Sequence, residues 1–361
     1  MLTALPAWVV ARVLVAVAYG IARYVEDHGS VDDPLARVTV RQGLLAWDGS
    51  FYADLAQHGY APLPRAALRF FPLTPIAGRV IGWIGTGPRV GVVIVANLAA
   101  LAAGTMLVLL VRREGLGADT TTRAAWLLAL APSAFVLVLG YAEGLFLAVA
   151  VGILLAARTR RWWVVIALGV LAGLCRPGGF LVLVPVAVEA ARGFSAVRGR
   201  ELLARVLAVL APVAGAALFL AWVGDRFGDA LLPYRVQTRA NLKGSFANPA
   251  SSIGHAIEGL FHGHIGTGLH VPWMIVVIAL IVVCFRRLPA SYGWFAVVSV
   301  ASAVTSDNLD SFERYALGAF PVVVAAALVL TDQRWARAAI ALSGLVMAAY
   351  ATLAFLHAYV P

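Results

Sequence analysis

A polytopic, all-α integral membrane protein is the fold class this sequence predicts, and three observations predict it. Of its 361 residues, 61% are hydrophobic and only 13% charged, whereas a soluble domain carries about 25% charged residues. The apolar surplus lies in long runs such as 90–111 and 203–223, each near the ~20 residues that take a helix across a bilayer. Arginines gather in short clusters between such runs, as at Arg112 and Arg113 or Arg160 and Arg161. The same runs exclude an outer-membrane barrel, whose strands alternate apolar and polar over about 10 residues.

Apolar windows place about eleven transmembrane helices, at 5–24, 89–111, 122–140, 143–157, 162–175, 179–192, 203–223, 271–285, 290–305, 314–331 and 336–356. The first run, Leu5 to Gly20, has no Lys or Arg before it and is interrupted by Arg12, so it is expected to be a retained helix rather than a cleaved signal. With the N-terminus cytoplasmic, the short cytoplasmic connections hold Arg112, Arg113, Arg123, Arg158, Arg160, Arg161, Arg192, Arg198, Arg200, Arg205, Arg286, Arg287, Arg334 and Arg337. The short outer connections hold only Arg176 and Arg314. That asymmetry is what the positive-inside rule requires, and it accounts for the net charge of +10 without nucleic acid, since no basic cluster carries a nucleic-acid-binding pattern.

Two longer loops, 25–88 and 224–270, then fall on the outer side. In the first, 35–45 and 68–84 mix apolar residues with arginine, as suits helices lying on the membrane surface. The chain reads as one integrated membrane domain, a module over 1–223 followed by 224–361 with the second loop and the last helices. Cys175 and Cys284 fall at opposite membrane faces in this topology, whereas a disulfide needs Cα atoms within about 7 Å. No Walker, Rossmann or zincin pattern is present.

The densest cluster of chemistry-bearing residues is Trp47-Asp48-Gly49-Ser50-Phe51-Tyr52, followed by His58-Gly59-Tyr60 and by Phe70-Phe71-Pro72-Leu73-Thr74-Pro75. Aromatic rings around one carboxylate suit contact with a sugar or headgroup. They also suit an interfacial aromatic belt, with Asp48 capping a short helix. In the second loop, His255, His262, His264 and His270 join Arg226, Arg235, Arg239 and Lys243, the only lysine. His262-Gly263-His264 lacks the helical i, i+4 spacing of a zinc site and has only Glu258 near it. No divalent metal and no cofactor are therefore expected, and the loop reads as a basic lid over a lipid-phosphate pocket.

The sequence of motifs WDG, aromatic-Tyr, HGY and FFPLTP resembles the PIG-V type family of mannosyltransferases, relatives of the second mannosyltransferase of GPI-anchor assembly within the C-type glycosyltransferase superfamily. Ala131-Pro132-Ser133-Ala134-Phe135, Tyr141-Ala142-Glu143, Cys175-Arg176-Pro177-Gly178 and Glu313-Arg314-Tyr315 with Phe320-Pro321 resemble later family motifs in the same order. The resemblance implies the C-type fold in a plasma (inner) membrane with its active site at the extracytoplasmic face. It further implies sugar transfer with inversion from a polyprenyl phosphate to a lipid- or glycan-linked acceptor hydroxyl.

A hydroxyl attacks only as a base takes its proton, which a carboxylate within reach can do, and Asp48 is the candidate. A leaving phosphate develops charge that guanidinium groups stabilise, and Arg176 and Arg314 are the candidates. Arg176 also reads as an interfacial snorkelling side chain, and Arg314 as the simple partner of Glu313 or Asp310. Trp47, Tyr52, His58, Tyr60 and Glu143 are candidate substrate contacts, Glu143 reading equally as a helix cap. Competing readings are a transporter or flippase for a lipid-linked sugar, which would place ionisable residues near the bilayer midplane where only Arg12 stands here, and a catalytically silent partner subunit.

Overall fold

The computed structural model describes residues 2–29, 33–238, 270–305, 309 and 311–360, with positions 248, 251, 254, 257, 258 and 261. Every regular element among them is helical. In chain order they are α1 (Leu5–His28), α2 (Pro34–Gln42), α3 (Asp48–His58), α4 (Leu73–Gly82), α5 (Pro88–Arg113), α6 (Ala118–Leu130), α7 (Glu143–Arg158), α8 (Trp162–Cys175), α9 (Leu183–Ala191), α10 (Gly199–Phe227), α11 (Leu232–Gln237), α12 (His270–Arg287), α13 (Ala290–Val304), α14 (Phe312–Gly318), α15 (Pro321–Val329) and α16 (Gln333–Phe355).

Helices form at every apolar window, but their lengths do not confirm eleven spans. Among the described residues five helices, α1, α5, α10, α12 and α16, are long and apolar enough to cross a membrane, or six spans result if α14 and α15, bent by 85°, count as one. The expected helix 122–140 breaks after Leu130, where Pro132 cannot continue it, and resumes as a 3-10 turn at Ala134–Leu137. Hydropathy does not separate a helix wrapped in protein from one wrapped in lipid. Thirteen of the sixteen residues of α7 are buried, so this helix owes its apolarity to the protein around it.

The long helices have the reverse polarity of a soluble bundle. In α1 the buried positions are Ala7, Ala11, Val15, Ala18 and Ala22, a stripe of mostly small side chains at helical spacing, while Val9, Val13, Val17 and Ile21 are about half exposed on the other side. Small residues let the α1 backbone approach α16, against which it packs; the exposed branched residues suit lipid. Arg12, the charged residue nearest the middle of the span, donates from Nε to Asn97 Oδ1 at 2.9 Å and from Nη2 to the Leu137 carbonyl at 3.1 Å. Its guanidinium also lies over Trp8, so the charge serves to join α1 to α5 and to the turn before α7.

Close backbone contact sets the positions of α8 and α10. A Cβ on Gly173 would collide with the Pro212 carbonyl oxygen, and one on Gly215 with the Val170 carbonyl oxygen. This approach fixes the end of α8, where Arg176 stands. Gly173→Val should therefore destabilise the protein by about 1–3 kcal/mol or more through overpacking. Gly20→Ala, whose Cβ meets nothing within 4 Å, should not. Thermal unfolding of both variants in detergent checks the expectation.

Candidate active site

The site begins with an unusual turn. Trp47 takes φ +57° and ψ −126°, a region that costs a non-glycine residue about 1–3 kcal/mol. Contacts from the far end of the chain hold it there. The indole N–H donates to the Ala354 carbonyl at 2.9 Å, and the ring stacks on His357 with centroids 4.4 Å apart and planes 3° from parallel. His357 in turn pairs with Asp33 at 3.3 Å. The result is that α3 starts at Asp48, whose carboxylate lies in the first turn of the helix, where the helix dipole favours negative charge.

A second tie brings Glu143 close. The Gly140 N–H donates to the Leu44 carbonyl at 2.8 Å, joining the turn before α7 to the turn before α3. The Asp48 backbone N–H then donates to the Tyr141 hydroxyl at 3.3 Å. Burial, followed by the charge of Asp48, pushes the Tyr141 phenol well above its ordinary pKa, which keeps it neutral. Two residues on, Glu143 is the first residue of α7 and is buried.

Three arginines converge on these two carboxylates. Arg314, carried in α14 rather than in a loop, donates from Nη1 to Asp48 Oδ2 at 2.8 Å, and its Nε lies 3.4 Å from Glu143 Oε1. Arg176, between α8 and the following 3-10 turn, stands 3.7 Å from the same Glu143 oxygen. Its guanidinium lies between the rings of Phe146 and Tyr315, at 5.1 and 4.8 Å. At 8% exposure, it is not a snorkelling side chain. Arg69 reaches Asp48 Oδ1 at 3.7 Å with its guanidinium over Phe70 and Phe51.

The balance of the cluster is cationic by one charge. It is also under-satisfied: Nε of Arg69 and Nε of Arg314 are buried without a hydrogen-bond partner among the described residues, and Arg176 is engaged only by the long 3.7 Å contact and by the two rings. Buried donors that complete no hydrogen bond are costly, and three guanidinium groups gathered around two carboxylates suit an anionic oxygen-rich ligand. The two carboxylates differ in access. The Asp48 side chain keeps a quarter of its surface exposed, against a tenth for Glu143. Asp48 is thus the one a solvent-borne or membrane-borne hydroxyl can reach.

Other expected contacts fall elsewhere. His58 is exposed at the far end of α3, about 15 Å from Asp48 at 1.5 Å per residue. Tyr60 uses its hydroxyl on the Phe70 carbonyl at 2.6 Å and packs against Phe219 and Trp222. Trp47 is held by α16 as described. Tyr52 is buried edge-on to Phe70. Of the second loop, Arg239, Lys243, His255, His262 and His264 lie outside the described residues, as does Asp310. Arg235 pairs with Asp229 at 2.9 Å. His270 belongs to α12, not to a lid: its Nδ1 is 2.8 Å from Glu313, whose other oxygen accepts from Tyr359 at 3.0 Å. That engagement leaves Arg314 to Asp48 and Glu143 rather than to its neighbour Glu313.

Arg69 is the member of the cluster that sequence reasoning missed, although its place directly before Phe70-Phe71-Pro72 was a usable signal. Arg314 is the junction of the cluster, so Arg314→Met should strand two carboxylates and lower stability by about 3–5 kcal/mol. Adding Asp48→Asn should recover about 1–3 kcal/mol of that loss. A double-mutant cycle of unfolding in detergent measures the coupling, and additive losses would show that the pair is energetically idle.

No protein-family model matches the sequence, and no curated protein matches it. Among solved structures, the chain is similar to the crystal structure of the Archaeoglobus fulgidus oligosaccharyltransferase tethered with an acceptor peptide containing the NVT sequon via a disulfide bond. The identity is 14% and the TM-score 0.43, over 81% of this chain and 48% of that one. The chain therefore spans about half the length of that enzyme, and at this level the likeness carries neither fold nor activity over.

Proposed function

We propose that this protein is an inverting glycosyltransferase of the C-type fold that transfers a sugar from a polyprenyl phosphate to a hydroxyl of a lipid- or glycan-linked acceptor at the extracytoplasmic face. The PIG-V type motifs make mannose the sugar and the plasma (inner) membrane the setting. The observation that carries the reading is the convergence of Arg69, Arg176 and Arg314 on Asp48 and Glu143, with buried guanidinium N–H groups left without acceptors.

In the proposed step, the acceptor oxygen forms a bond to the anomeric carbon from the side opposite the phosphate. The bond from that carbon to the phosphate oxygen breaks, and the polyprenyl phosphate leaves with the electron pair. The acceptor's proton passes to Asp48. Charge growing on the leaving phosphate is met by guanidinium donors already in place. Arg176 is the first candidate, because a phosphate needs to displace only a 3.7 Å contact. As phosphate draws Arg314 toward itself, the Asp48 oxygen that accepts from Arg314 is released to the acceptor hydroxyl. Glu143 remains the counter-ion that keeps both arginines oriented.

Three outcomes test this. Asp48→Asn should leave the protein folded and in the membrane while abolishing sugar transfer; transfer near the wild-type rate would remove Asp48 as base. Arg176→Lys keeps the charge but loses the planar fork, so it should weaken use of the polyprenyl-phosphate sugar by about 1–3 kcal/mol and leave acceptor dependence nearly unchanged. Titrating each substrate against the other separates the two, and impaired acceptor dependence alone would move Arg176 to the acceptor side. For sidedness, a cysteine probe at Ser251 should react from outside and one at Ser195 should be protected, and the reverse would place the site on the cytoplasmic face.

A further inference from the structure

A second basic site lies at the other end of the bundle. Helix α7 begins at Glu143 and ends at Arg158, and α8 begins at Trp162 and ends beside Arg176. The α7–α8 connection is thus displaced from the carboxylate cluster by the length of α7, about 24 Å. Two neighbouring cavities open there, of about 330 and 520 Å³. Arg160 and Trp162 line both. Together the linings hold six arginines and two glutamates.

Part of this charge is structural. Arg158 donates to both oxygens of Glu114, at 2.7 and 2.8 Å, and lies 3.4 Å from Glu189, which also accepts from Ser291 at 2.6 Å. Arg205 is buried, and donates to the carbonyls of Ala190 and Arg192 at 2.7 and 2.6 Å, capping the end of α9. These bonds hold the α7–α8 and α9–α10 connections side by side. Arg160, Arg161 and Arg200 are different: all three are exposed and make no ion pair or side-chain hydrogen bond among the described residues. Arg160 is also held at φ +56°, a left-handed conformation that few non-glycine residues adopt.

The surface beside them is apolar. Arg200 heads a stripe of α10 that continues through Leu203, Leu207 and Leu210 at i+3, i+7 and i+10, all exposed, and Trp163 and Val164 are exposed on α8. A charged head set next to a lipid-facing apolar stripe has the shape of a phospholipid. We infer that the cavity lined by Arg160, Arg161 and Arg200 binds the phosphate of an anionic phospholipid, with an acyl chain along Leu203, Leu207 and Leu210. The inference is independent of the glycosyltransferase reading, since none of these residues belongs to the carboxylate cluster.

Native mass spectrometry of the full protein in neutral detergent, titrated with phosphatidylglycerol or phosphatidylcholine, tests it. Phosphatidylglycerol should bind more tightly. Arg160→Ala and Arg200→Ala should each weaken it about five-fold, and the double variant on the order of 25-fold, as expected for cations at a membrane surface. Phosphatidylcholine binding and the unfolding midpoint without lipid should stay as in wild type, because neither side chain makes an ion pair or side-chain hydrogen bond among the described residues and the field of Arg160 on Glu201 acts between exposed groups. Equal binding of the two lipids, or double-variant affinity equal to wild type, would overturn the site. A titration with inorganic phosphate alone distinguishes the sources: protection against heat as strong as that given by phosphatidylglycerol would overturn the lipid assignment, and weak or no protection supports it.

Discussion

The guanidinium of Arg314, shared between Asp48 and Glu143, is the contact on which the site depends. Its partners come from segments far apart in the chain, Asp48 being 266 residues away, and none of the three charges can be left alone in a low-dielectric interior without a cost of several kcal/mol. The surrounding structure is arranged to meet that demand. The strained Trp47 turn is held by Ala354 and His357, the Gly140 to Leu44 hydrogen bond joins two turns, and His270 with Tyr359 occupies Glu313. Without the last of these, Arg314 would have a carboxylate as its chain neighbour and less reason to reach α3.

A closed ion-pair network would satisfy every donor, as the Arg158, Glu114 and Glu189 group nearly does at the opposite end. The carboxylate cluster does not. Its extra arginine, its long Arg176 contact and its buried Nε donors without acceptors leave it short of negative charge. That deficit is what a phosphate would fill on the proposed reading, and it gives one set of arginines two successive tasks, holding the carboxylates before the donor arrives and the leaving group afterwards.

The ionisable residue within a span points away from transport. A carrier would line a path with such groups, whereas Arg12 is fully occupied with Asn97, Leu137 and the Trp8 ring. It holds helices together, and the chemistry-bearing residues cluster instead at one end of the bundle, where α3, α7, α8 and α14 meet.

Composition and apolar runs alone determined the all-helical character and the positions of nearly every helix, because hydrophobic length is a local property. The residues that the structure gathers, Asp48, Glu143, Arg176 and Arg314, were each named from the sequence, through the motifs that hold them and, for the two arginines, through their place in short outer connections. What the linear chain did not hold was which of them meet. His58 and Tyr60 share a motif with Asp48, yet a helix of 11 residues carries His58 away, and Tyr60 turns to Phe70. Arg69 looked like one more surface arginine until the turn before α4 set it over Phe70 beside Asp48. The number of spans was likewise a tertiary matter: α7 is as apolar as a lipid-crossing helix because other helices surround it, and only packing distinguishes a side chain facing protein from one facing lipid.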